Sequence, residues 1–263
     1  MRPGEGRRFA AALLLLAVAP LATACSGGGS ASRTAATPAP TVGIIKTCLN
    51  GAGSPAPFRF TTSAGARLVG VVLGQGRTGL VLGHQVGSDL CEWLPQARSF
   101  ARQGYRVLAF DFEGYGDSQP GSGAGARIDT DVAAAAEQLR RRGADTIVLV
   151  GSSMGGTAVL AAAARIRPPV AGVVSLSGPA TFEGLDARAA VARLRVPLLL
   201  VASADDHPFV DDARALYRTA RVRDKRLVVV AGVNHGTSML DVGDDAPKVL
   251  ADLRGFVARH AHR

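Results

Sequence analysis

The sequence predicts an α/β fold: a mostly parallel, twisted sheet of about eight strands with helices on both faces. Three observations carry that expectation. From Phe58 onward, short apolar runs alternate with stretches of helical pattern, the sign of parallel strands joined by covering helices. Most of the runs are too short to be helices and are rich in branched aliphatics. Gly104 and Gly143 stand where two of the helical stretches should stop.

In chain order, 58–61 and 67–73 read as opening strands with an antiparallel start. Six further strands are expected at 80–83, 107–110, 147–150, 170–176, 198–201 and 227–230. Helices are expected at 92–103, 128–142, 154–166, 185–194, 208–221 and 246–260. The chain has 263 residues, of which 47% are hydrophobic, enough for one sizeable core, and no composition break after the first segments suggests a second domain. In such a sheet the ligand site lies beyond the carboxyl ends of the strands.

The first residues read as an export signal. Arg2, Arg7 and Arg8 give a positive start, and 9–21 is an apolar run too short to span a bilayer comfortably. Ala22 and Ala24 before Cys25 fit ordinary signal-peptidase cleavage. The same stretch resembles a bacterial lipoprotein signal with Cys25 as the lipidated residue, although Ala22 stands where such signals usually carry a larger aliphatic side chain. Simple secretion and an uncleaved anchor are the alternatives. Residues 26–40 are rich in Gly, Ser, Ala, Thr and Pro, so we expect a signal peptide at 1–24, a flexible tether at 25–47 and a folded domain at 48–263.

With Cys25 lipidated, Cys48 and Cys91 remain as an even pair in an oxidising compartment, and a Cys48–Cys91 disulfide is expected. The alternative is two separate thiols. The expected location is the outer face of the cell-envelope membrane by lipid anchor, or otherwise the medium. The net charge of +9 comes from arginines scattered over helices, and aromatics make up only 5% of the chain. That pattern suits a basic solvated surface near an anionic envelope and argues against nucleic-acid binding.

Gly151-Ser152-Ser153-Met154-Gly155 matches G-x-S-x-G between an expected strand and an alanine-rich expected helix. The reason for the pattern is steric. A nucleophile on a sharp, strained turn needs glycines two residues either side, so that strand and helix can approach. Ser153 is then lifted out at a helix N-terminus, where backbone N–H groups favour developing negative charge. The reading set against this one is a glycine-rich turn that merely ends a strand.

Residues 109–118, Ala-Phe-Asp-Phe-Glu-Gly-Tyr-Gly-Asp-Ser, carry a second motif. They are similar to the D-x-R-G-x-G-x-S segment of the α/β-hydrolase superfamily, with Glu113 in place of the arginine. Together with the G-x-S-x-G turn, the chain from about Phe58 to its end resembles that superfamily. The resemblance implies a nucleophile, acid and histidine in that order along the chain. His235, just past the last strand, meets that order, whereas His84, His207, His260 and His262 fit less well. The acid is expected in the loop after strand 198–201, where Asp205 and Asp206 both stand, and family placement favours Asp206. The oxyanion donors implied are the N–H groups of Met154 and, from the loop that carries His84-Gln85, of Gln85.

The implied reaction is hydrolysis of a carboxylic ester or related acyl bond, with a small-molecule acyl substrate and neither metal nor organic cofactor. Only residues 177–196 separate the sixth strand from the seventh, so no substantial lid is expected. Other readings share the same residues: a cofactor-free haloperoxidase, an acyltransferase, or an envelope lipoprotein that only binds a ligand.

Overall fold

A computed structural model describes residues 46–51, 53–121 and 127–261. In chain order the elements are β1 (Phe58–Thr61), β2 (Arg67–Leu73), β3 (Thr78–Gly83), α1 (Leu94–Arg102), β4 (Arg106–Asp111), α2 (Ile128–Arg141), β5 (Thr146–Ser152) and α3 (Met154–Ala163). There follow β6 (Gly172–Leu176), β7 (Thr181–Phe182), β8 (Leu185–Asp186), α4 (Ala187–Arg193), β9 (Leu198–Ser203), α5 (Phe209–Thr219), β10 (Lys225–Val230) and α6 (Ala246–His260). Eight strands form one sheet in the order β1-β2-β4-β3-β5-β6-β9-β10, while β7 and β8 pair as a small hairpin. β2 is antiparallel to β1 and β4, and the remaining pairings in the sheet are parallel.

Both faces of the sheet are buried, which is why its central strands read as unbroken apolar runs. Leu80, Leu82, Val148 and Val150 point into one core with Leu94, Ala97 and Phe100 of α1 and Val249, Leu253 and Val257 of α6. Val81, Ile147 and Leu149 point into the other, against Val132 and Leu139 of α2 and Ala158 and Leu160 of α3. Between β6 and β9 there is room only for the β7–β8 hairpin and the seven residues of α4.

Several expected boundaries move, for local reasons. The helix expected from residue 92 begins at Leu94, after a 3-10 turn at Leu90–Trp93 whose Cys91 N–H is held by the Asp89 side chain. Leu185 and Asp186 are extended instead of helical, because Asp186 caps α4 and accepts the Ala189 N–H at 2.8 Å. β5 and β9 run on to Ser152 and Ser203, since backbone pairing continues past the apolar residues.

The signal peptide, Cys25 and residues 25–45 of the expected tether lie outside the described residues. The tether's last two residues, Lys46 and Thr47, belong instead to the folded domain. The Lys46 side chain is 4% exposed and its ammonium lies 2.8 Å from Asp89 and 2.9 Å from Asp111. Burial works against its charge, but the two carboxylates more than offset it and raise its pKa. Next to it, Cys48 and Cys91 form the expected disulfide, with Cα atoms 5.8 Å apart. Among the described residues no helix is long and apolar enough to cross a membrane.

Candidate active site

β5 ends at Ser152 and α3 begins at Met154, so Ser153 is the single residue that turns the chain from strand to helix. It does so at φ 49° and ψ −116°, a left-handed backbone that a residue with a Cβ adopts only under strain. The strain is held in place on all sides. The Ser153 N–H donates to the Leu176 carbonyl at 2.8 Å, and the Gly155 N–H donates to the His84 carbonyl at 3.2 Å. A Cβ on Gly155 would collide with the carbonyls of Gly83 and His84, and one on Gly151 with the Gly155 carbonyl. The elbow glycines are therefore required by close backbone approach.

At the end of β9 the chain turns through Asp205 and Asp206, and the turn separates them. Asp205 is exposed, with its N–H on the Gly232 carbonyl at 3.0 Å. Asp206 is buried, and its Oδ2 lies 2.8 Å from the His235 Nδ1. With the Nδ1 proton donated to that carboxylate, Nε2 is the basic nitrogen of the ring. The His235 loop is pinned by the Asn234 Nδ2 donating to the Val242 carbonyl and by the Ser203 Oγ donating to the Asn234 carbonyl. Phe209 packs edge-on against the imidazole, with centroids 4.3 Å apart.

The histidine loop also lies against the elbow, since the Thr237 N–H donates to the Ser152 Oγ at 3.1 Å. Among the described residues no hydrogen bond joins the Ser153 Oγ to His235, so that link is open in this structure. Such links often tighten only when substrate is bound.

One neighbour of Asp206 was not foreseen from sequence. Ser177, fully buried just after β6, donates its Oγ to the same Asp206 Oδ2 at 2.8 Å. Its backbone, like that of Ser153, is left-handed at φ 48°. A serine at a strand end carries no signal of its own, and only its contact with Asp206 distinguishes it.

Met154 opens α3, where the first N–H groups have no carbonyl within the helix to pair with. The Gln85 N–H is differently placed. It donates to the Glu92 Oε2 at 3.3 Å, so the donor expected of Gln85 is already engaged by a carboxylate. Burial pushes the Glu92 carboxyl up to about 7, against the Gln85 N–H and the hydroxyls of Ser88, Thr237 and Ser152.

The remaining sequence candidates fall into structural roles. His84 is fully buried, with Nδ1 2.8 Å from the Gln85 carbonyl and Nε2 accepting the Phe112 N–H at 3.0 Å, and burial lowers its pKa to about 4. It is a neutral bridge between two loops. His207 meets Asp211 on the surface. The Glu113 carboxylate accepts N–H groups of Gly121 and Arg127 and so closes its own loop. Among the described residues no group of three or more acidic, histidine or cysteine side chains could hold a metal ion.

A family model described as the alpha/beta hydrolase fold matches residues 71–194, a span that holds the elbow and ends before Asp206 and His235. An esterase of Pyrococcus furiosus is similar in structure with a TM-score of 0.67 and 16% identity, covering 79% of this chain and 91% of its own. The esterase domain of a Rhodothermus marinus protein gives a TM-score of 0.63 at 25% identity, covering 78% and 99%. An esterase of Thermogutta terrifontis gives 0.63 at 18% identity, covering the same shares. A search of curated proteins finds no match. Sheet order, elbow and neighbours agree: the chain has the α/β-hydrolase fold.

Proposed function

We propose that the protein is a serine hydrolase that cleaves a carboxylic ester through an acyl-enzyme on Ser153. The observation that carries this reading is the 2.8 Å contact of Asp206 with the His235 Nδ1, in the same site as a strained Ser153 at the head of a helix. Ser153 attacks the acyl carbon, and the His235 Nε2 takes its proton and later delivers it to the leaving alcohol. Asp206 orients the ring and stabilises its charged form, and water releases the acyl group by the same steps in reverse. The Met154 N–H, at the positive end of α3, would receive the developing oxyanion. The esterases among the structural neighbours favour an ester over other acyl bonds.

The test is turnover of p-nitrophenyl esters of graded acyl length by the protein and by Ser153→Ala. We expect an acyl-enzyme burst and a loss of at least about 10³-fold in kcat for the variant. Equal turnover by the variant would refute the assignment of Ser153. We also propose that the protein is exported, with Cys25 lipidated and the first 24 residues removed. The Cys48–Cys91 disulfide supports this, since such bonds persist in oxidising compartments. The intact mass of the mature protein checks it, because an unmodified or uncleaved N-terminus would contradict it.

A further inference from the structure

Glu92 is held on an unusually well-fixed stretch of backbone. Just before it, the Leu90 N–H donates to the buried Asp111 at 2.8 Å and the Cys91 N–H donates to Asp89 at 2.8 Å. Lys46 bridges those two aspartates, Cys91 is bonded to Cys48, and Trp93 is fully buried. From this frame the Glu92 side chain turns toward the loops that carry the proposed chemistry.

Its Oε2 accepts the Gln85 N–H from the loop after β3. Ser88, Thr237 and Ser152 lie near enough to oppose the rise that burial imposes on the carboxyl, but the Gln85 N–H is its one hydrogen-bond partner among the described residues. Ser152 directly precedes the nucleophile, and Thr237 lies two residues after His235. These neighbours are joined to one another as well: the Ser152 Oγ donates to the Gln85 Oε1 at 3.1 Å and accepts the Thr237 N–H at 3.1 Å. Glu92 thus holds the loop after β3, which is joined through Ser152 to the nucleophile elbow and the histidine loop. Among the described residues its Oε1 has no hydrogen-bond partner, and burying it so is a cost to the fold.

We infer that Glu92 is a positioning residue, whose carboxylate sets the loop after β3 against the elbow and the histidine loop, and that the ester hydrolysis proposed above depends on it. The inference rests on that reading. Glu92 touches no reacting atom and acts through the Gln85 backbone, since the Gln85 side chain is hydrogen-bonded to Ser152 and Ser152 to Thr237. Removing the acceptor should therefore weaken what the site does to the transition state more than what it does to the substrate.

The experiment compares the full chain with Glu92→Gln, which keeps an oxygen acceptor for the Gln85 N–H, and Glu92→Leu, which does not. Readouts are kcat and KM on one p-nitrophenyl ester, the inhibition constant of a boronic acid that mimics the tetrahedral intermediate, and the melting temperature. Glu92→Gln should keep kcat within about threefold. Glu92→Leu should lose about 10-fold to 100-fold in kcat, with KM little changed and the boronic acid weakened by a similar factor, while melting no lower than the parent near pH 8.

Unchanged kcat in Glu92→Leu would overturn the inference. So would activity that falls in both variants in step with melting temperature, since that is the mark of packing alone. A fluorophosphonate probe on the parent protein separates the two levels. Labelling of the parent at Ser153 together with unchanged kcat in Glu92→Leu removes only the role of Glu92, whereas an unlabelled parent removes the serine-hydrolase reading and this inference with it.

Discussion

Replacing Glu92 by Gln should change how stability depends on pH, and the size of the change follows from the structure. Burial raises the carboxyl from 4.5 to about 7 in the folded chain. Below the lower value both states are protonated and the group contributes no difference. As pH rises, the unfolded chain ionises first, so folded stability is lost between the two values and the loss is complete above about 7. At about 1.36 kcal/mol per unit, the loss grows by about 2.5 kcal/mol between pH 5 and pH 8. Gln carries no such penalty, and its amide can donate to the hydroxyls around it. For a domain of this size, that difference is a gain of about 5–10 °C in melting temperature at pH 8, relative to the same comparison at pH 5. Asp131 is also pushed up to about 7, by burial and by Glu113 and Asp129, but it is present in both proteins and cancels. Calorimetry of parent and variant at the two pH values measures the difference directly. An equal offset at both would refute the assignment of the buried charge.

Three further outcomes are expected. Ser177→Ala removes a charge-assisted hydrogen bond from Asp206, and steady-state kinetics should show a loss of about 10-fold or more in kcat/KM, carried by kcat. Lys46→Met leaves the buried Asp111 without its counter-charge and should cost about 3–5 kcal/mol in urea unfolding, where a loss under about 1 kcal/mol would mean that the cluster is not stabilising. Reducing the Cys48–Cys91 bond, which spans 43 residues, should lower stability by about 4 kcal/mol on the chain-entropy view, measured with and without reductant.

What could be seen in the sequence was whatever depends on local chemistry. The elbow was legible because a strand, two glycines and a helix must flank a strained nucleophile, and all of them lie within a few residues of Ser153. The strands were legible because both faces are buried, so their residues need no alternation. The choice between Asp205 and Asp206 stayed open because adjacent residues differ only in which way the turn aims them. Lys46 read as tether because it falls just before Cys48, where the folded domain was expected to begin, whereas its place is set by Asp89 and Asp111 far along the chain. Ser177 and Glu92 were invisible for the same reason. A serine after a strand and a glutamate before a tryptophan gain meaning only from Asp206 and from the Gln85 backbone. Gln85 was read as a donor from its place after β3, but the engagement of its N–H by Glu92 depends on how two loops meet.

The central claim is an activated serine at position 153, and labelling with a fluorophosphonate probe tests it most directly without any guess at the substrate. The folded protein, digested and mapped by mass spectrometry after labelling, should carry the probe on the peptide that contains Ser153. Ser153→Ala and His235→Ala should stay unlabelled. A folded protein that does not react, or that reacts equally in His235→Ala, would contradict the account and leave a hydrolase scaffold without a working nucleophile.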